Sequence, residues 1–423
     1  MARRYFGTDG VRGVVGDDLT EDLVRRLGTA FARWSGGPVL VGRDTRGSGP
    51  ALERALAAGL AAGGSDVALG GVLPTPAVAL LAEAGGAVVS ASHNPAEYNG
   101  VKLFLGGRKL ADGEEEAIEA LLDEPAPEGD AGGTVSDAPG LGERYVELVC
   151  ERFGVPLAGL RVVLDCANGA MTDAAPAAFR RLGAEVVVVG DRPDGTNIND
   201  GCGATDTALL ARTVPAAGAD LGLAFDGDGD RVLAVDAAGS LVDGDGILAI
   251  LALHLGVDLV AVTSMTNLGL HRLLEAHGIR VVTTDVGDRY VLEALLAEGG
   301  LLGGEQSGHV LYLQGHVTGD GLATGLLLCG ACVERGLPLA ELAGVLERFP
   351  QAKENVRVRT KAIPQRVLDA AAELNAELDG RGRVLVRSSG TEPVVRVLAE
   401  AASAEEAKRL CGRIVGLVEE ELG

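Results

Sequence analysis

A chain of 423 residues is too long for one ordinary domain, and at ~100–200 residues per domain it sets an expectation of two to four. Its composition, 47% hydrophobic, 23% charged and 3% aromatic with 63 glycines, excludes a disordered chain and points to an α/β protein with aliphatic cores. A formal net charge of -23 excludes electrostatic attachment to nucleic acid or anionic lipid, so any anion must be held in a local basic pocket.

The opening stretch Met1–Gly10 has two arginines but no apolar run after them and is not expected to be a secretory leader. The most apolar runs, Ile247–Leu255 and Gly325–Val333, fall short of the ~18 residues a membrane span needs. A cytoplasmic enzyme with no membrane or nucleic-acid partner is expected. Oligomeric state is left open, with a homodimer among the alternatives.

In chain order, one unit is read three times: an apolar strand, a turn, a helix, a second strand, and later a chemically unusual loop. The opening strands are expected at Pro38–Gly42, Arg161–Asp165 and Leu259–Thr263, and the helices after them at Pro50–Ala62, Asp173–Leu182 and Gly269–His277. The next strands are expected at Asp66–Leu69, Glu185–Val189 and Arg280–Thr284. Such alternation implies parallel sheets with right-handed crossovers, whose carboxyl ends gather ligand chemistry. Boundaries are suggested by the Pro/Gly/acid-rich stretch Asp123–Gly142, read as a linker or exposed loop, by Ala237–Gly244 and by Phe349–Glu354. The domains expected are 1–142, 143–241, 242–351 and a smaller α+β segment, 352–423, ending in a helix at Ala404–Leu422. Six scattered cysteines do not form a disulfide framework, and the Cys329/Cys332 pair, inside an apolar helical stretch, is read as core.

The most informative loop is Asp226-Gly227-Asp228-Gly229-Asp230-Arg231, directly after an apolar run. Three carboxylates separated only by glycines can fold around a hard divalent cation, and an all-oxygen donor set points to Mg²⁺. An EF-hand needs Gly at its sixth place and Glu at its twelfth; Arg231 and Ala237 stand there, so the calcium reading fails.

Ser90-Ala91-Ser92-His93-Asn94-Pro95 follows an apolar strand, with Pro95 forcing a rigid exit, and Lys102 lies close enough in sequence to balance phosphate charge or move a proton. Gly303–His309 sets Glu305, Ser307 and His309 among glycines, suited to sugar hydroxyls and proton transfer. Arg387-Ser388-Ser389-Gly390-Thr391-Glu392-Pro393-Val394-Val395-Arg396 combines hydroxyls, a glycine-freed backbone and two arginines into an anion cradle. His254, His271, His277 and His316 lack such settings and are read as structural or surface.

These four loops, in this order, resemble the α-D-phosphohexomutase superfamily over essentially the whole chain. Tyr5-Phe6-Gly7-Thr8-Asp9-Gly10-Val11-Arg12-Gly13, Asp165-Cys166-Ala167-Asn168-Gly169-Ala170 and Val286-Gly287-Asp288-Arg289-Tyr290-Val291 place the resemblance in the bacterial branch that works on glucosamine phosphates. It implies three similar α/β domains with mainly parallel mixed sheets and a smaller C-terminal α+β domain around a central cleft.

The resemblance further implies that Ser92 carries a phosphoryl group and joins Asp226, Asp228 and Asp230 in holding Mg²⁺, and that glucosamine 6-phosphate and 1-phosphate interconvert through a sugar 1,6-bisphosphate. Glu305, Ser307 and His93 would hold the sugar. Arg387, Ser389, Gly390, Thr391 and Arg396 would hold the non-reacting phosphate, and Arg12, Lys102 and His309 would stabilise charge or move protons. Tyr98 departs from the branch, which often has an acid before Asn-Gly; Glu97-Tyr98-Asn99-Gly100 is closer to the phosphomannomutase style. A phosphomannomutase/phosphoglucomutase and a non-catalytic sugar-phosphate-binding protein are the alternatives. Shortened loops at Gly106–Lys109 and Glu124–Gly140 are expected to alter surface shape rather than the site.

Overall fold

The computed structural model describes residues 4–7, 9–124, 132–388 and 393–423. They form two compact units, one of residues 1–265 and 278–345 and the other of 266–277 and 346–423.

The first unit contains three sheets with a shared plan. In the first sheet, strand Val39–Arg43 lies between Val67–Val72 and Gly85–Val89, parallel to both, and Tyr98–Leu105 returns antiparallel to Gly85–Val89. The second sheet repeats this with Arg161–Asp165 between Glu185–Val189 and Leu221–Phe225, followed by antiparallel Val232–Asp236. The third has Leu259–Thr263 between Arg280–Thr284 and Leu302–Gly304, followed by antiparallel Val310–Tyr312. The expected repeats are therefore present, and each ends in an antiparallel return strand that the apolar pattern did not mark.

This plan fixes the site. The turn between the third parallel strand and its return strand is Ser90–Glu97 in the first repeat, Asp226–Arg231 in the second and Glu305–His309 in the third. All three unusual loops occupy one structural position, at the carboxyl end of a parallel strand. The strands feeding them are buried along their whole length, as parallel strands covered on both faces must be.

The Pro/Gly/acid-rich stretch is more than a linker. Val135–Asp137 within it adds a parallel edge strand to Val67–Val72, and helix Leu141–Phe153 starts before the stretch ends. Its three residues, Val135 among them, are all exposed, because an edge strand needs only backbone pairing. Cys329 and Cys332 lie in the buried helix Gly321–Arg335, as core.

In the second unit, strands Gln351–Arg357, Val394–Glu400 and Arg383–Ser388 form an antiparallel sheet with Val394–Glu400 at its centre. Helices Gln365–Leu378 and Ala404–Leu422 supply its apolar cover through Val367, Leu374, Leu410, Ile414 and Val418. Arg387 and Arg396 are direct cross-strand partners. Ser389, Gly390 and Thr391, expected in the phosphate cradle, lie outside the described residues.

Helices Glu21–Ser35 and Gly49–Ala62 cross at glycines. A Cβ on Gly59 would stand 1.9 Å from the Arg25 carbonyl oxygen, and one on Gly28 would stand 2.5 Å from that of Leu56. Gly59→Ala must push the backbones apart, at an expected cost of about 1–3 kcal/mol. Gly113, in helix Asp112–Leu122, has none of the described residues within 4 Å of such an atom. Calorimetry should show a lower unfolding midpoint for Gly59→Ala and none for Gly113→Ala; equal midpoints for the two variants would contradict the crossing.

Candidate active site

Ser92 is fully buried and its backbone is left-handed, at φ 52. Its N–H donates to Ser90 Oγ at 2.9 Å, and Ser90 Oγ donates to Asp44 Oδ2 at 2.6 Å. The turned backbone carries Ser92 Oγ to Asp226, where it donates to Oδ2 at 2.6 Å, while His93 Nδ1 stands 3.3 Å from the same hydroxyl.

Asp226, Asp228 and Asp230 are buried, and one oxygen from each lies within 4.8 Å of the others. Burial, then the charges of Asp230 and Asp228, push the Asp226 carboxyl up to about 8. Among the described residues, no hydrogen-bond donor meets the buried Asp228 Oδ1 and Asp230 Oδ1. Orphaned carboxylate oxygens cost free energy unless a cation meets them, so this all-oxygen set fits a divalent ion such as Mg²⁺.

Lys102, on the return strand of the first repeat, reaches into the turn. Its Nζ lies 2.6 Å from Asp228 Oδ2, 2.8 Å from Asp230 Oδ2 and 3.0 Å from Asp9 Oδ2. Burial works against the ammonium, but these carboxylates outweigh it and hold the Lys102 pKa well above its ordinary value. Lys109 Nζ bridges Asp9 at 2.6 Å and Asp288 at 2.5 Å. His309 Nε2 is 3.2 Å from Asp288, and its Nδ1 is 3.6 Å from Asp230.

Asp230, Lys102, Asp9, Lys109, Asp288 and His309 thus close a ring of alternating charge. Burial disfavours the His309 imidazolium, yet Asp288 and Asp230 overcome it and raise its pKa. Arg12 pairs with Asp9 on the outside of the ring. Arg231, also raised despite burial, is held by Asp230, Asp226 and Glu305.

The third-repeat turn presents Glu305 half-buried and Ser307 exposed. Gly287 N donates to Glu305 Oε1 at 3.2 Å, and burial raises the carboxyl's pKa. The turn closes on itself through Glu305 N–H to the His309 carbonyl at 2.9 Å and Gly308 N–H to the Glu305 carbonyl at 3.0 Å.

The structure therefore brings together Ser92, His93, Lys102, Asp226, Asp228, Asp230 and His309, with Arg12 and Glu305 in the same charge network. Arg387 and Arg396 face each other in the second unit. Asp9, Lys109 and Asp288 join the site although the sequence reading had not marked them. Lys109 corrects the expectation that Gly106–Lys109 bears on surface shape: that stretch makes a tight turn into a short strand, and the lysine is buried among carboxylates. Asp9 and Asp288 stood in quoted motifs, but without their partners they read as turn acids.

Four family models cover the chain in order: "Phosphoglucomutase/phosphomannomutase, alpha/beta/alpha domain" I at residues 3–128, II at 143–239 and III at 243–349, and the C-terminal domain at 339–417. Fold and site define a member of the phosphoglucomutase/phosphomannomutase family. The chain is 51% identical to the phosphoglucosamine mutase of Pelotomaculum thermopropionicum, with 98% of this chain and 99% of that one covered. It is 50% identical to that of Saccharopolyspora erythraea, again covering 98% and 99%. Within the wider family, the chain belongs with the phosphoglucosamine mutases.

Among solved structures, a phosphoglucomutase/phosphomannomutase family protein from Burkholderia thailandensis superposes with a TM-score of 0.85 at 27% identity, covering 98% of both chains. The N-acetylphosphoglucosamine mutase of Aspergillus fumigatus, solved with GlcNAc-6P and magnesium, shares the fold with a TM-score of 0.74 at 21% identity, covering 99% of this chain and 96% of that one. No helix among the described residues is long and apolar enough to cross a membrane.

Burial, then the guanidinium groups of Arg231 and Arg12, push the His93 imidazole down to about 4. The unfolded chain takes up this proton near 6.5. The unfolded state therefore binds more protons between those values, and His93 makes the fold lose stability as pH falls through that window. A ring-resonance titration by NMR should place the His93 midpoint near 4; a midpoint at its ordinary value would contradict the burial described.

Proposed function

We propose that this protein interconverts glucosamine 6-phosphate and glucosamine 1-phosphate, with Ser92 as phosphoryl carrier and a sugar 1,6-bisphosphate as intermediate. The observation that carries the reading is the 2.6 Å contact between Ser92 Oγ and Asp226, at a buried three-carboxylate turn packed round with cations. Phosphoryl transfer asks little covalent chemistry of a protein and much positioning and charge neutralisation, which is what this arrangement offers.

In the forward direction the Oγ–P bond of phosphoserine 92 breaks as a bond forms from phosphorus to the free hydroxyl oxygen of the sugar phosphate, and Ser92 Oγ leaves with the electron pair of the broken bond and takes up a proton. The proton lost by that hydroxyl must pass to an unprotonated neighbour; His309, in its neutral form between Asp288 and Asp230, is the candidate, while Lys102, held as an ammonium, neutralises charge. The bisphosphate then turns over and returns its other phosphoryl group to Ser92. Mg²⁺, when bound by Asp226, Asp228 and Asp230, would supply Lewis-acid neutralisation of phosphoryl charge.

Arg12, Lys102 and Arg231 would offset the remaining negative charge. Glu305, Ser307 and His93 would grip the sugar, and Arg387 and Arg396, guanidinium groups placed opposite each other across one strand pair, suit a phosphate. Burial of Ser92 protects its phosphate from water, without which the enzyme would drift into hydrolysis. The six buried free thiols suit a reducing cytoplasm.

After treatment with glucose 1,6-bisphosphate and Mg²⁺, intact-mass analysis and peptide mapping should find one added phosphoryl group, on Ser92. Ser92→Ala should abolish it and lower kcat by at least about 10³-fold, the scale of removing a covalent nucleophile. Chelation should stop turnover and Mg²⁺ restore it. Glucosamine phosphates should turn over faster than mannose or glucose phosphates. A phosphoryl group elsewhere would overturn the carrier, and faster turnover of a hexose phosphate would overturn the substrate.

A further inference from the structure

The left-handed backbone of Ser92 has a cost. A non-glycine residue held there gives up roughly 1–2 kcal/mol, and it persists only where its surroundings over-determine it. Two side chains outside the site already described supply that constraint.

The first is Arg46, fully buried despite its charge. Its Nε donates to Asp44 Oδ2 at 2.9 Å; Nη1 donates to the carbonyls of Pro95 and of Tyr98, the latter at 2.9 Å; Nη2 donates to those of Ser92 at 2.9 Å and Asn94 at 2.8 Å. All five guanidinium hydrogens are spent, three of them on carbonyls of the serine turn and one on that of Tyr98, where the return strand begins.

The second is Asn199, from the second repeat. Its Nδ2 donates to the carbonyls of Ser92 at 3.0 Å and Asn94 at 3.2 Å, the same two oxygens that Arg46 Nη2 holds. Asn199 is itself left-handed, at φ 60, and its N–H donates to the carbonyl of Ala167 at 2.9 Å. Ala167, at φ 55, is fixed by Asp165, which accepts from its N–H at 3.0 Å and from that of Gly203 at 2.8 Å. Gly227 of the metal turn leaves room for the arrangement: a Cβ there would stand 2.6 Å from the Ser92 carbonyl oxygen and 2.9 Å from Asn199 Nδ2.

We infer that Asn199 is a positioning residue for the phosphoryl carrier: together with Arg46 it ties down the Ser92 and Asn94 carbonyls and so fixes the left-handed turn that aims Ser92 Oγ at Asp226. The inference rests on the proposed role of Ser92. It makes the nucleophile's geometry a property of two repeats, since the first supplies the serine and the second supplies the amide that orients it.

Two substitutions separate this role from simple packing. Asn199→Gly removes the amide yet keeps a residue at ease with positive φ. Asn199→Asp keeps the shape and tolerance of positive φ but sets an acceptor against two carbonyl oxygens. Phosphorylation of Ser92 by glucose 1,6-bisphosphate in a single turnover is the direct readout, alongside steady-state kcat and KM for glucosamine 6-phosphate.

Small misplacement of a reacting atom costs up to about 10²-fold, so both variants should lose roughly 10- to 100-fold in single-turnover rate and kcat while KM stays within about threefold. Asn199→Asp should be no faster than Asn199→Gly. A wild-type single-turnover rate in Asn199→Gly, recovery of the rate by the isosteric Asp, or a change in KM alone would each overturn the inference. Failure of the wild-type protein to take a phosphoryl group on Ser92 would instead overturn the functional reading.

Discussion

Asp226, Asp228 and Asp230 stand in one turn with their oxygens within 4.8 Å of one another and out of water. Like charges so placed repel strongly in a medium that screens them poorly, so the fold must bring cations to them or leave protons on them. Both responses are visible: Asp226 is pushed up to about 8, while Lys102 engages Asp228 and Asp230 directly. Removing any one member of the ring that continues through Asp9, Lys109, Asp288 and His309 leaves a neighbouring buried charge without its partner, the costly half of such a pair. That is why residues from the first and third repeats are committed to a turn of the second.

The repeated sheet plan explains how they arrive there. Each repeat ends its third parallel strand in a turn and returns antiparallel, so the serine, the aspartates and the glutamate–histidine turn are the same structural position used for three chemistries. Lys102 comes from the first return strand, two residues past Gly100, whose own Cβ would stand 2.6 Å from the Ser90 carbonyl. Strand and turn are packed so closely that the lysine's reach is set by the sheet register. On the proposed function, the repeats divide the labour: one would offer the carrier, one the metal ligands and one the sugar contacts.

Much of this was legible in the chain. Arg161–Asp165 and Leu259–Thr263, which are buried, and the more exposed edge strands Glu185–Val189 and Arg280–Thr284 were readable to the residue, because each centres on a short run of β-branched and aliphatic residues. Asp226–Asp230 was readable because three acids spaced by glycine after such a run have few uses other than a cation. The first return strand was not, since Tyr98–Leu105 carries Lys102 and glycine among its apolar residues and has no alternation. Val135–Asp137 was hidden because edge pairing uses only backbone. Lys109, Arg46 and Asn199 were hidden for a common reason: their side-chain partners lie far along the chain, at Asp288 for Lys109 and in the serine turn for Arg46 and Asn199, and no local pattern marks a side chain whose function is to meet a distant carbonyl or carboxylate. The left-handed angle at Ser92 is likewise invisible, because serine is not the residue such a backbone would choose.

The central claim is that the phosphoryl group passes between Ser92 and the sugar within this charge-balanced site and does not reach water. Enzyme carrying radiolabelled phosphate on Ser92, mixed in a rapid-quench apparatus with unlabelled glucosamine 6-phosphate and Mg²⁺, tests it directly. The account requires label to leave Ser92 into sugar bisphosphate and then sugar monophosphate at a rate no slower than turnover. Label released mainly as inorganic phosphate, or retained on Ser92 while product forms, would contradict it.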